Sequence, residues 1–196
     1  LQQIVLNKKM NDYFFQPIDL PPLPERFVEQ ALTGTRTDLL VTSVDRQIHD
    51  RGSVYRNAQL QRWRLSQDLV EWLHQQGIKG FDDVSVQTIQ QGDTLGPHTD
   101  SWQSCKLFYL LEPGGPNVET IWYQQPGHDL IREKFLLIED TKDLEVVHRM
   151  VIPPRQWGFI NVRIIHEVKN MTNRRETVVA SFTDYIDFSP LVVQKK

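Results

Sequence analysis

Cysteine is nearly absent from this 196-residue chain: Cys105 stands alone, so no intramolecular disulfide can form. The chain therefore reads as a protein of the reducing cytoplasm, not as a disulfide-stapled secreted domain. No apolar run approaches the ~20 residues of a membrane span, and the first nine residues lack the order of a signal peptide. A membrane is thus not an expected partner. An excess of either charge is missing as well: 22 Lys and Arg against 25 Asp and Glu leave a net charge of −3. That balance offers no broad attraction to nucleic acid or to an anionic surface. Repeats, low-complexity tracts and an evident linker are also lacking, and the length suits one domain with a substantial core. No feature of this kind fixes an oligomeric state.

What is present divides into an N-terminal helical layer over residues 1–83, a strand-rich core over 84–184 and a short tail over 185–196. Pro17–Pro24 should be extended and deliver a helix over Pro24–Leu32 that stops before Gly34. Ala58–Gln76 has helical periodicity, with Leu60, Trp63, Leu69, Val70 and Leu73 on one side and Gly77 as its stop. Its tryptophans, Trp63 and Trp72, read as core anchors on the outside of the major sheet. From Val84 onward, alternating runs recur between turns: Val84–Gln90, Cys105–Leu111, Glu119–Tyr123, Phe135–Ile138, Leu144–Ile152, Trp157–Val162 and Arg175–Thr183. Seven strands with few helices among them predict a mainly β sandwich or jelly roll and disfavour a βαβ architecture.

His98-Thr99-Asp100, with His166 far downstream and Arg175 nine residues beyond it, carries the chemistry. In an extended strand residues i and i+2 share a face, so His98 and Asp100 can bind one ion while Thr99 points away. His-x-Asp plus a distal His is the donor set that holds Fe(II) on one side and leaves three positions open. On the strand beginning at Arg175, Thr177, Val179 and Ser181 share its face. A guanidinium with a hydroxyl two residues on suits a carboxylate, through a bidentate fork and one added hydrogen bond. Arg174 is a rival for this role, but its strand face would carry Glu176, Val178 and Ala180 and no hydroxyl. Arg175 is preferred.

Gly96-Pro97-His98-Thr99-Asp100, the Phe159-Ile160-Asn161…His166-Glu167-Val168 block and Arg175-x-Thr177 together resemble the Fe(II)/2-oxoglutarate-dependent oxygenases, over roughly residues 84–184. The stretch from His166 looks most like the aspartyl/asparaginyl-hydroxylase and prolyl-hydroxylase branches. The resemblance implies a double-stranded β-helix (jelly-roll) core, with Fe(II) on His98, Asp100 and His166. It also implies 2-oxoglutarate with its far carboxylate on Arg175 and Thr177, and O2 as co-substrate. The implied reaction decarboxylates 2-oxoglutarate to succinate and hydroxylates an amino acid or peptidyl side chain. The substrate would be a small molecule or a peptide. The alternatives are a cupin-type metal-binding jelly roll with other chemistry and a non-catalytic binding jelly roll.

Four further residues are weighed. Tyr109, if inward, would donate to the carboxylate that Arg175 holds; otherwise it is a core aromatic. Trp102, just past Asp100, would contact substrate or cap the core. Asn161 would orient a metal ligand or the substrate. Cys105 reads as a small core residue, with no base beside it in sequence to activate a thiol. His49, His74, His128 and His148 lack a carboxylate two residues away and read as surface or structural.

Overall fold

The computed structural model describes residues 14–33, 39–41, 60–64, 66–91, 96–100, 105–132, 136, 138 and 141–183; for 39–41 and 60–64 it describes the backbone alone. The chain is mainly β. Among the described residues there are ten strands: β1 (Phe15–Pro17), β2 (Leu39–Val41), β3 (Leu60–Arg64), β4 (Asp83–Ile89), β5 (Cys105–Pro113), β6 (Glu119–Gln124), β7 (Glu145–Met150), β8 (Trp157–Ile160), β9 (Ile165–Lys169) and β10 (Arg175–Phe182). Two helices accompany them, α1 (Glu25–Thr33) and α2 (Gln67–Gln75). None among the described residues is long and apolar enough to cross a membrane.

The strands form a seven-stranded sheet in the order β1-β8-β5-β10-β4-β3-β2 and a three-stranded sheet β7-β6-β9, with antiparallel neighbours throughout. Period-two alternation sorts the large sheet's side chains into two cores. Leu107, Tyr109 and Leu111 of β5 and Val178, Ala180 and Phe182 of β10 face the helices, meeting Phe27 and Val28 of α1 and Leu69 and Leu73 of α2. Phe108 and Leu110 of β5, Val179 of β10 and Ile160 of β8 face the other way, toward Trp122 of β6, and fill the space between the sheets. Phe15 lies over Gly158, where a Cβ would come within 2.1 Å of its ring. Only glycine lets β1 close on β8 there.

Both helices are explained by their buried stripes and their ends. In α2, Leu69 and Leu73 are fully buried. Gly77 ends it at φ +84, with Gly77 N donating to His74 O and Ile78 N to Leu73 O. That pairing is a Schellman closure, completed by Ile78 packing into the same core as Leu73. The proline-rich segment ahead of α1 is pinned where Trp157 Nε1 donates to Pro21 O at 3.0 Å.

Three expectations change. The helix expected over Ala58–Gln76 is two elements, strand β3 and helix α2. Leu60–Arg64 pairs with β4 from Ile89 to Ser85, because an open strand edge outweighs a helical hydrophobic period shared by a few residues. The N-terminal layer is accordingly mixed, since β1, β2 and β3 extend the large sheet on both sides. Strand β9, carrying His166, was not anticipated. Expected strand Phe135–Ile138 falls largely outside the described residues, as does the tail.

Candidate metal centre

His98 and His166 face each other across a two-bond antiparallel bridge: His98 N donates to His166 O at 3.0 Å, and His166 N to His98 O at 2.8 Å. The next residue turns its polar groups the other way. Thr99 N donates to Leu136 O and Thr99 Oγ1 accepts from Leu136 N at 2.8 Å, so its side chain is fully buried away from the site. Asp100 N donates to Val162 O at 2.9 Å. This extended stretch, held on both sides, sets the imidazole of His98 and the carboxylate of Asp100 on one face.

The ligand atoms of His98, Asp100 and His166 all lie within 4.8 Å of one another. Each imidazole rests its Nδ1 on the carbonyl two residues earlier, His98 on Gly96 O at 2.7 Å and His166 on Ile164 O at 2.8 Å. A carbonyl only accepts, so each Nδ1 carries the proton and each Nε2 keeps a free lone pair. His98 Nε2 stands 3.6 Å from Asp100 Oδ1. His166 is buried, and burial, then the neighbouring His98, pushes it down to about 4, which keeps it neutral and able to ligate. Burial alone would raise Asp100, but Lys106 and then the two imidazoles hold it well below the usual carboxylate range. His98 and Asp100 keep 15% and 16% of their side chains exposed. The cluster is therefore open on one side.

Lys106 was not anticipated as part of this site. Its Nζ lies 2.5 Å from Asp100 Oδ2. Its signal in the sequence is a lone cation inside the apolar run Cys105–Leu111, on the side of β5 that Phe108 and Leu110 also occupy.

Arg175 and Thr177 lie on the β10 face that carries Val179, toward the space between the sheets, and both are buried. Arg175 donates from Nη1 to Pro113 O at 2.9 Å and its guanidinium sits 5.8 Å from the Phe108 ring centre. Burial lowers it to about 10, so it remains a cation, and no carboxylate among the described residues pairs with it. Gly114 makes room: at φ +88, an added Cβ would stand 3.1 Å from Arg175 Cβ. Arg174 is 42% exposed and pairs with Glu176 at 3.4 Å. Arg175 and Lys106 share one wall of the interior, since Arg175 pairs with Pro113 and Lys106 with Ser181, six residues along β10; at strand rise that is about 20 Å. On the facing small sheet, Trp122 pairs with His166, and Trp122 Nε1 and Thr120 Oγ1 are buried without hydrogen-bond partners among the described residues.

Tyr109 does not join the site. It lies in the helix-facing core, 4.8 Å from the Trp157 ring, because odd residues of β5 point away from the interior that Phe108 faces. Asn161 is buried and spends Oδ1 on Arg163 N at 3.1 Å, shaping the turn whose neighbouring Val162 carbonyl takes the Asp100 N–H. Its contribution to the ligands runs through the backbone. Trp102 falls outside the described residues. Cys105 is buried in the helix-facing core. On the outer face of β9, Glu167 accepts from Tyr123 Oη and pairs with Lys169 at 2.9 Å, tying β9 to β6 behind His166.

No family model matches this chain, and no curated protein matches it. Among solved structures, a Pseudomonas putida prolyl-4-hydroxylase is similar over 93% of this chain and 99% of its own, with 12% identity and a TM-score of 0.44. E. coli ycfD is similar over 52% of this chain, with 16% identity and a TM-score of 0.35, and the match spans 25% of that protein's length. Both likenesses are remote.

Proposed function

We propose that this chain is a 2-oxoglutarate-dependent non-haem iron dioxygenase that hydroxylates an amino acid or a peptidyl side chain. The observation that carries the proposal is the convergence of His98, Asp100 and His166, with both imidazole Nε2 atoms free and one side open. Two nitrogens and one carboxylate oxygen fit Fe(II) better than the softer or harder metals. The strand order supports a double-stranded β-helix core: β8-β5-β10-β4 face β7-β6-β9, and the His98 bridge extends the small sheet beyond β9.

Bound on these ligands, Fe(II) would supply the activation of O2 that couples decarboxylation of 2-oxoglutarate to succinate with hydroxylation of the substrate. The chain's own part is placement. His98 and His166 would present Nε2 because their Nδ1 protons are committed to backbone carbonyls. Arg175 would bind the far carboxylate of 2-oxoglutarate, since a buried guanidinium with no anion beside it among the described residues fits an anionic ligand. Thr177 lies on the same face for a further hydrogen bond. The free donors of Trp122 and Thr120 provide polar contacts in the same interior. This buried cation also favours the oxygenase over a cupin-type jelly roll without a keto acid, in which Arg175 would have no counter-charge among the described residues. A lone buried cysteine and an Fe(II) site both suit the cytoplasm. The substrate is expected to be a small molecule or a peptide and not nucleic acid.

The test is succinate formation from 2-oxoglutarate under Fe(II) and O2, with free amino acids and short peptides as candidate substrates. Turnover that is absent from Asp100→Ala is expected. Failure of the wild type to bind either Fe(II) or 2-oxoglutarate would overturn the proposal.

A further inference from the structure

Lys106 is a costly residue where it stands. It is buried at 8% exposure in the middle of an apolar strand, between the two sheets. A buried ammonium persists only when paired, and its ion pair is with Asp100 Oδ2 at 2.5 Å. The two oxygens of Asp100 are thereby divided: Oδ2 belongs to Lys106, while Oδ1 faces His98 Nε2 at 3.6 Å, inside the ligand cluster. A carboxylate left to itself binds a divalent cation through one oxygen or two. If both oxygens of Asp100 were taken by the ion, one of the positions that a chelating keto acid needs would be filled.

We propose that Lys106 is a positioning residue that holds Asp100 to single-oxygen ligation and so keeps a coordination position open for the co-substrate. This rests on the metal-site reading above. Two physical effects act together. The ion pair occupies Oδ2 geometrically, and the ammonium adds a positive charge beside the metal. That charge opposes a bare cation and favours the site once a dianionic keto acid is present. Lys106 therefore trades affinity for the metal alone against affinity for the metal and keto acid together.

The experiment compares wild type, Lys106→Met and Lys106→Arg, using Co(II) as a redox-inert probe with a coordination-sensitive visible spectrum. Co(II) affinity is measured first, then 2-oxoglutarate affinity for the Co(II)-loaded protein under nitrogen. For Lys106→Met the two affinities should move in opposite directions. Co(II) should bind about tenfold more tightly and 2-oxoglutarate at least about tenfold more weakly, in the range that partners of ligand side chains usually command. The visible bands should shift before 2-oxoglutarate is added, and Lys106→Arg should restore the wild-type pattern. Both affinities weakening together would mean a merely structural role, and neither changing would mean no role; each overturns the proposal. Should Lys106→Met not fold, Lys106→Gln, which can still occupy Oδ2 but lacks the charge, should move the two affinities in the same opposite directions and leave the visible bands in place; affinities that move together or not at all overturn the proposal here too. A wild type that binds no Co(II) or no 2-oxoglutarate refutes the oxygenase reading itself, and that measurement is independent of any Lys106 variant.

Discussion

Replacing Arg175 with Met should make the free protein no less stable while abolishing its response to 2-oxoglutarate. The free-protein term follows from burial. Burial that lowers the guanidinium to about 10 corresponds to a penalty of about 3 kcal/mol on the charged form. One charge-assisted hydrogen bond to Pro113 O returns about 1.5–3 kcal/mol. These nearly cancel, and Met fills most of the same space, so the variant should lie between neutral and roughly 2 kcal/mol more stable. The ligand term is separate. At a hundred times Kd, 2-oxoglutarate with Co(II) should stabilise the wild type by about 2.7 kcal/mol, a rise in Tm of roughly 5–10 °C for a chain of this length. Arg175→Met should show the metal's share of that rise and almost none of the keto acid's. Differential scanning fluorimetry with metal alone, then with both, separates the two. A variant several kcal/mol less stable than wild type, yet still stabilised by 2-oxoglutarate, would refute the reasoning, because Arg175 would then be holding the fold and not the ligand.

Three other outcomes are expected. Asp100→Ala should abolish Co(II) binding and also destabilise the apoprotein by about 3–5 kcal/mol in denaturant titrations, since it strands a buried Lys106; His98→Ala should abolish binding with a much smaller stability loss. Stability of chelator-treated protein should fall as pH drops from about 6.5 to about 4, because over that window the unfolded chain takes up the His166 proton and the native state does not. His166→Gln should flatten that slope in chemical denaturation followed against pH. Tyr109→Phe should leave 2-oxoglutarate affinity unchanged within twofold by calorimetry, because the ring lies beneath the helices.

The legibility of the chain tracks how local each signal is. His98 and Asp100 are two residues apart, and one rule of strand geometry puts them on one face, so the seed of the site can be read directly. The core strands β4, β6, β8 and β10 each carry enough alternation to be found alone, and β5 is legible as an apolar run closed by turn residues. Tyr109 shows where such reading stops. Strand β5 is apolar on both faces, covered by helices on one side and by the small sheet on the other, so no polar–apolar alternation tells odd residues from even ones. The same two-sided burial hid Lys106, whose purpose is visible only with Asp100 beside it. The edge strands β1 and β2, and β3 between β4 and β2, are short or helix-like in composition and owe their conformation to the strands they pair with. Arg174 and Arg175 could be separated because one has a hydroxyl two residues on and the other does not, a difference of face that a strand keeps.

The bridge between His98 and His166 makes the site a property of chain closure. Its two backbone bonds join segments far apart in sequence, with β5, β6, β7 and β8 lying between them in the chain. A form of the chain lacking that contact does not hold the two imidazoles together, so binding of an ion by both would be linked to formation of the bridge. A bound ion would act as a staple between these two segments. Removing it would loosen the sheet at this bridge, and the amides of His98 and His166 would report occupancy in hydrogen exchange.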